Sequence, residues 1–234
     1  MAFIQFEPVR ALRAARILFA DPDDLPQVFT IIESLSGNTL QRIYRRMQAD
    51  QSGRRVLEER PDLVAKLLDR DALARLPEGS LGRAYLAFVE RENISADGIR
   101  EASEKGMERV LPEALDYVSA RMRDTHDLWH VVTGYSGDVL GEVALLAFIF
   151  AQTFNPGVAL IIGLGLAKTV GAPAGEGSRR IIADGFRRGR SSTWLPGVEW
   201  EKLLELPLSQ VRAQLSVGSP VEYTPIRSAQ LKAA

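Results

Sequence analysis

RMRDTHDLWHVVTGYSGDVLGE, residues 121–142, decides how this chain is read. His126 and His130 are four residues apart, so a helix presents both imidazoles on one face. Asp127 lies between them, and Glu142 follows His130 after eleven residues. Gly134, Gly137 and Gly141 fall in that gap, where glycine lets a helix end and the chain turn. A second helix starting near Asp138 then brings Glu142 back beside the histidines. The stretch predicts two adjacent helices joined by a glycine turn, with imidazoles and carboxylates facing each other.

The same helical pattern extends outward. Asp24 can open a helix reaching Ser36, with Gly37 as its stop. Asn38 can open TLQRIYRRMQAD, and Pro61 sits at a first helical position before DLVAKLLDR. Ser80 opens LGRAYLAFVERENI; Ser95 opens ADGIREASEKG, closed by Gly106. Pro112 starts a long helix predicted to run through His130. Asn155-Pro156 and Pro207 start two more. No sustained period-two alternation and no Asn-Gly or Asp-Gly hairpin signal a strand, and no segment recurs at a fixed period. The expectation is an all-α fold, one multi-helix domain over residues 1–234, with a loosely packed tail after about residue 220.

Composition narrows the chemistry. The 234 residues carry 29 Lys+Arg and 30 Asp+Glu, a net charge of −1 that argues against nucleic acid as a partner. There is no cysteine, which excludes disulfides, iron–sulfur clusters, cysteine zinc fingers and thiol catalysis. Both of the chain's two histidines fall in the quoted stretch. Two histidines with one or two carboxylates form a nitrogen–oxygen donor set for a divalent metal: zinc first, with ferrous iron or manganese as alternatives. The spacing echoes the zinc-protease helix, but Asp127 stands where that motif has glutamate. Aspartate is one methylene shorter, so a metal-dependent hydrolase is disfavoured. Asp127 either ligates directly or holds an imidazole from behind. Asp124 is a candidate for orienting a neighbouring group, or for the surface.

The most apolar region, residues 143–170, is interrupted at Gln152, Thr153 and Asn155-Pro156-Gly157. Its longest unbroken piece, 158–167, is half the roughly 20 residues a membrane-spanning helix needs. VALLAFIFAQTF (143–154) and VALIIGLGLA (158–167) therefore read as a buried hairpin or as walls of a lipid-facing groove. Gly163, Gly165 and Ala167 leave room for a tail or for close helix contact. Near the N-terminus, Arg10, Arg13 and Arg16 interrupt every apolar run, so no signal-peptide core is present. That segment reads as an ordinary first helix or as a basic amphipathic helix on a membrane. Residues 179–190 hold five arginines against Asp184, suiting either anionic lipid or a solvated face. GAPAGEGSRR, from Gly171, lacks the Gly-Lys-Ser/Thr of a P-loop and is assigned no nucleotide.

HDLWHVVTGYSGDVLGE resembles the coenzyme Q (ubiquinone) biosynthesis protein 4 family, whose signature is H-D-x-x-H, eleven residues, then E. GRRVLEERPDL (from Gly53), LPEGSLGRAYLAFV (from Leu76) and WEKLLELPLSQVRAQL (from Trp200) resemble family segments too. The likeness runs roughly from residue 10 to 217 and is poorest over 171–190. It implies a helical protein peripheral to the membrane: the cytoplasmic face of the inner membrane, or the mitochondrial inner membrane in a eukaryote. It implies a divalent metal held by His126, Asp127, His130 and Glu142, which would also be the catalytic residues. The implied reaction removes the C1 carboxylate of a polyprenylated 4-hydroxybenzoate, coupled to hydroxylation at that carbon. The implied partners are that substrate, other ubiquinone biosynthesis proteins, the membrane surface and a second copy in a homodimer. A lipid-binding scaffold for the biosynthetic complex is the alternative reading.

Overall fold

Asp50, Asp62, Asp69 and Ser80 each begin a helix by accepting the backbone N–H three residues on, from Gly53, Ala65, Ala72 and Arg83. Such caps punctuate a computed structural model that describes residues 6–170, 177–220 and 222–232. Residues 171–176, most of the glycine-rich loop, lie outside the described residues. The helices are α1 (Pro8–Ala20), α2 (Leu25–Leu35), α3 (Thr39–Ala49), α4 (Gln51–Glu59), α5 (Leu63–Leu68), α6 (Arg70–Arg75), α7 (Leu81–Glu92), α8 (Ala96–Gly106), α9 (Glu113–Asp124), α10 (His126–Thr133), α11 (Val139–Thr153), α12 (Pro156–Val170), α13 (Ser178–Ser191), α14 (Leu208–Gln214) and α15 (Ser228–Lys232). Two 3-10 turns, Leu195–Gly197 and Trp200–Lys202, precede α14. No strand occurs among the described residues; Ser80 and Pro207 form one isolated antiparallel bridge. The all-helical expectation holds.

Two helix boundaries depart from the sequence reading. The helix expected after Pro61 is two, α5 and α6, because Asp62 and Asp69 each cap a new start. The long helix expected from Pro112 through His130 is kinked at Thr125, between α9 and α10. Thr125 has φ −89° and ψ −7°, and its hydroxyl donates to the carbonyls of Arg121 (2.9 Å) and Met122 (3.3 Å). A threonine bonding back to the preceding turn competes with the helical ladder and bends it.

The main core gathers Leu128, Trp129 and Val132 of α10, Leu81 and Tyr85 of α7, Leu145 and Phe148 of α11, and Ile181 of α13. Small residues bring α11 and α13 together: a Cβ on Gly185 would overlap the Ala144 carbonyl, and one on Gly189 would meet Phe148 and Ala151. Asn155 Oδ1 accepts from Gly157 and Val158 N–H, starting α12 so that it runs back along α11. Gly165 then meets Val143 with no room for a side chain, while Gly163 faces open space. Of the small residues on α12, Gly165 therefore serves close helix contact. A smaller cluster joins Ala11, Ala14, Ala15 and Leu18 of α1 to Ile31, Leu35 and Ile161. Beyond Pro220, Ile226 is buried in the main core and its carbonyl accepts the Val139 N–H at 2.8 Å. No helix among the described residues is long and apolar enough to cross a membrane.

Candidate metal centre

The turn between α10 and α11 is tied at both ends. Gly134, at φ +80°, closes α10 by donating its N–H to the His130 carbonyl at 2.8 Å. Asp138 opens α11: its Oδ1 accepts Leu140 and Gly141 N–H and also Ile226 N–H. The Tyr223 hydroxyl donates to Asp138 Oδ2 at 2.6 Å and accepts the Ser136 N–H at 2.9 Å. A Cβ on Gly141 would overlap Ser136 O and the Tyr223 hydroxyl, so glycine is required there. This knot sets the first turn of α11, which carries Glu142 back toward α10.

Glu142 faces both histidines. Its Oε1 lies 3.2 Å from His130 Nε2 and its Oε2 3.6 Å from His126 Nε2. One ligand atom from each of His126, His130 and Glu142 lies within 4.8 Å of the others. Three of the four predicted ligands thus come together. Asp127 does not join them face to face; its Oδ1 sits 3.1 Å from His126 Nδ1. His130 Nδ1 lies 2.9 Å from the Tyr135 carbonyl. A carbonyl and a carboxylate only accept, so both Nδ1 atoms carry a ring proton, and in the neutral ring each Nε2 turns its lone pair toward Glu142. The ring of Phe88 stacks on His130 at 5.2 Å. His130 is 1% exposed, whereas the Glu142 side chain is 41% exposed, so the cluster is sealed on the α10 side and open beyond Glu142.

Two lone pairs facing a carboxylate repel unless positive charge lies among them. In the metal-free chain a proton supplies it. Burial opposes charging His130, but the Glu142 carboxylate, with help from Asp127 and the Tyr135 carbonyl, pushes its pKa up to about 9. Burial likewise opposes ionising Glu142, but the His130 charge and hydrogen bond, then His126, hold its pKa down to about 2. The residues present also fit a divalent cation. One ligand atom from each of the three residues points into the same space, and the donors are the nitrogen–oxygen set that zinc, iron(II) or manganese accept.

Sequence reasoning missed what orients these ligands. The Tyr135 carbonyl and the Phe88 ring carry no motif signal, and Tyr223 lies 81 residues beyond Glu142. Asp138 was legible as a cap because an Asp precedes the renewed helix. Asp124 pairs with Arg123 at 2.8 Å and stays outside the cluster. The arginine-rich segment is not one solvated face: Arg179, Arg180, Arg187 and Arg190 are exposed, but Arg188 is buried.

The model of the coenzyme Q (ubiquinone) biosynthesis protein Coq4 family matches residues 8–220. Among curated relatives, the ubiquinone biosynthesis protein coq4, mitochondrial, of Aspergillus flavus is 34% identical over 189 residues, covering 80% of this chain and 63% of that protein. Its namesake in Talaromyces stipitatus gives the same figures, and that of Penicillium rubens is 33% identical over the same shares. The match thus spans less than two thirds of the length of these relatives. A crystal structure of a Nostoc punctiforme protein described as concerned with ubiquinone biosynthesis superposes with a TM-score of 0.67 at 24% identity. It covers 92% of this chain and 100% of that one, and shows the shared fold. With the matched segment extending over nearly the whole chain and containing His126, Asp127, His130 and Glu142, the chain belongs to the coenzyme Q (ubiquinone) biosynthesis protein Coq4 family.

Proposed function

We propose that this chain is a metal-dependent enzyme of ubiquinone biosynthesis that removes the C1 carboxylate of a polyprenylated 4-hydroxybenzoate, coupled to hydroxylation at that carbon. The observation that supports this reading best is the convergence of one ligand atom each from His126, His130 and Glu142 within 4.8 Å, at a site with one open side. His126, His130 and Glu142 would hold the divalent metal, zinc, iron(II) or manganese; Asp127 acts as a fourth ligand or through His126. When bound, the metal supplies a Lewis-acid centre for the ring carboxylate or phenolate. Asp127 and the Tyr135 carbonyl keep the Nδ1 protons in place, and Phe88 shields one face of His130 from water. Replacing the carboxylate by hydroxyl is a two-electron oxidation; with molecular oxygen as the oxidant and water as the hydroxyl source, the ring acid, water and oxygen give the phenol, carbon dioxide and hydrogen peroxide.

The polyprenyl tail needs an apolar surface beside the open side. The α11–α12 hairpin offers one, with Ala159, Gly163 and Ala167 exposed along α12. On α1, the exposed Val9, Leu12, Ile17 and Phe19 alternate with exposed Arg13 and Arg16, which supports a peripheral place on a membrane. The inner membrane is where the lipid substrate would be met, with other proteins of the pathway.

The test is turnover of a prenylated 4-hydroxybenzoate by purified protein with defined metal and oxygen, monitoring released carbon dioxide. His126→Ala and Glu142→Ala are expected to lose bound metal and carbon dioxide release together while keeping the helical circular-dichroism spectrum. Full turnover in both variants overturns the reading. Lipid binding and assembly with pathway proteins, without turnover by any metal form of the wild type, makes the chain a scaffold.

A further inference from the structure

The C-terminus of α10 is satisfied completely, and two arginines from distant helices do most of it. A helix leaves its last four carbonyls without partners inside the helix. In α10 these belong to His130, Val131, Val132 and Thr133. His130 O accepts the Gly134 N–H. Arg212 of α14 reaches in with both arms of its guanidinium: Nε donates to Val132 O at 2.9 Å and Nη2 to Val131 O at 2.9 Å. Arg188 of α13 takes the remaining one, Nη2 donating to Thr133 O at 2.8 Å, while its Nε donates to Val217 O at 3.1 Å.

Neither arginine makes an ion pair among the described residues, so the negative end of α10 is the main charge they answer. The arrangement contrasts with Arg121 and Arg10, which pair with the buried carboxylates Glu201 and Glu33. Arg188 is buried, and its charge together with burial holds the Arg212 pKa below the ordinary arginine range; burial is the larger cause. The repulsion between the two cations is a cost that the α10 carbonyls offset.

Arg188 also touches the second support of His130. Its guanidinium carbon lies 5.1 Å from the centre of the Tyr135 ring. The Tyr135 hydroxyl donates to Asp184 Oδ2 at 3.3 Å, one helical turn before Arg188 on α13. The Tyr135 carbonyl is the group that accepts the His130 Nδ1 proton. One arginine therefore holds the helix that carries His130 and the residue that orients its ring.

We infer that Arg188 and Arg212 are positioning residues that clamp the end of α10, fix the Tyr135 carbonyl on His130 Nδ1 and so keep His130 Nε2 aimed at Glu142. This rests on the proposed function only in giving that aim a metal to serve. The clamp itself is a statement about one imidazole and can be read without metal.

The experiment compares Arg188→Met, Arg212→Met and Arg212→Lys with Arg10→Met, which breaks a buried contact of α1 away from α10. Metal-free protein is examined first by nitrogen-15 NMR of labelled histidine. In the wild type, His130 is expected to show a proton on Nδ1 that exchanges slowly with solvent. In Arg188→Met and Arg212→Met that proton is expected to exchange at least tenfold faster; in Arg10→Met it is expected to stay protected. Zinc and cobalt(II) titration follows. Loss of groups that orient a metal-binding histidine costs roughly 10–100-fold in affinity, and the two α10 variants are expected to fall in that range with altered cobalt absorption. Arg212→Lys keeps the charge but not the two-armed grip, and is expected to fall between. If Arg212→Met does not fold, Arg212→Lys against Arg10→Met carries the comparison. Unchanged exchange at His130 in both α10 variants overturns the clamp. So does a loss of protection in Arg10→Met equal to theirs, because the effect then follows stability. A wild type that binds neither metal overturns the metal reading and leaves the NMR comparison to judge the clamp.

Discussion

At the scale of single residues, the His130–Glu142 contact makes the metal-free protein sensitive to pH in a defined direction. His130 has its pKa raised to about 9 in the folded chain, against an ordinary 6.5. Its contribution is therefore fully present below about pH 6.5 and is lost as pH rises through about 9. Glu142 is depressed to about 2 from 4.5, so its contribution is present above 4.5 and lost as pH falls through about 2. The two are one contact seen from both ends and count once. Melting of metal-free protein is expected to be highest between pH 4.5 and 6.5. Stability then falls by on the order of 3 kcal/mol toward pH 9.5. Glu142→Gln is expected to flatten the alkaline fall. Saturating zinc is expected to reverse it, because imidazoles ligate only when neutral and metal affinity then rises with pH. An alkaline fall of equal size in Glu142→Gln would remove Glu142 as its cause.

At the scale of elements, the sequence made the glycine turn legible and hid its fastenings. The i, i+4 histidines, the three glycines and Asp138 announce helix, turn and helix within 17 residues, from His126 to Glu142, because each is a local signal. The kink at Thr125 was not legible, since a threonine inside a helix bonds backward or points outward depending on its packing. Arg188 and Arg212 were not legible as parts of the site, because the backbone carbonyls they bind carry no sequence signature, and Tyr223 was not, because its contact with Asp138 spans 85 residues of chain. Two glycines test the difference between required and merely tolerated. Gly141→Ala forces a methyl into Ser136 O and the Tyr223 hydroxyl and is expected to destabilise by about 1–3 kcal/mol. Gly98→Ala, on α8 with open space around it, is expected to stabilise by about 0.4–1 kcal/mol. Chemical denaturation of both variants checks the pair: a tolerated Gly141→Ala would mean that the turn is not tightly knotted.

At the scale of the whole molecule, the apolar surface left outside is unevenly placed. Among the described residues eleven large hydrophobic side chains are exposed, and Phe6, Val9, Leu12, Ile17, Phe19 and Leu25 put six of them in or next to α1. Chance exposure would scatter them over the fifteen helices. α1 exposes Arg13 and Arg16 and carries no acid, and the Lys168 ammonium sits 5.2 Å from the Phe19 ring. Apolar side chains flanked by cations on one outward face suit a helix lying in the interface of an anionic bilayer. Position adds to composition. Gly165 packs on Val143, next to Glu142, and Lys168 lies one turn further along α12. The C-terminal end of α1 therefore lies at the end of the α11–α12 hairpin that bears Glu142. Leu12→Glu with Phe19→Glu is expected to abolish sedimentation with phosphatidylglycerol vesicles and to leave melting nearly unchanged, since both side chains already face water. Arg13→Glu with Arg16→Glu is expected to remove the preference for anionic over zwitterionic vesicles. Undiminished sedimentation of the apolar pair would move the membrane contact elsewhere, and conversion of a wild-type dimer to monomer by that pair would assign the face to a second copy of the chain instead.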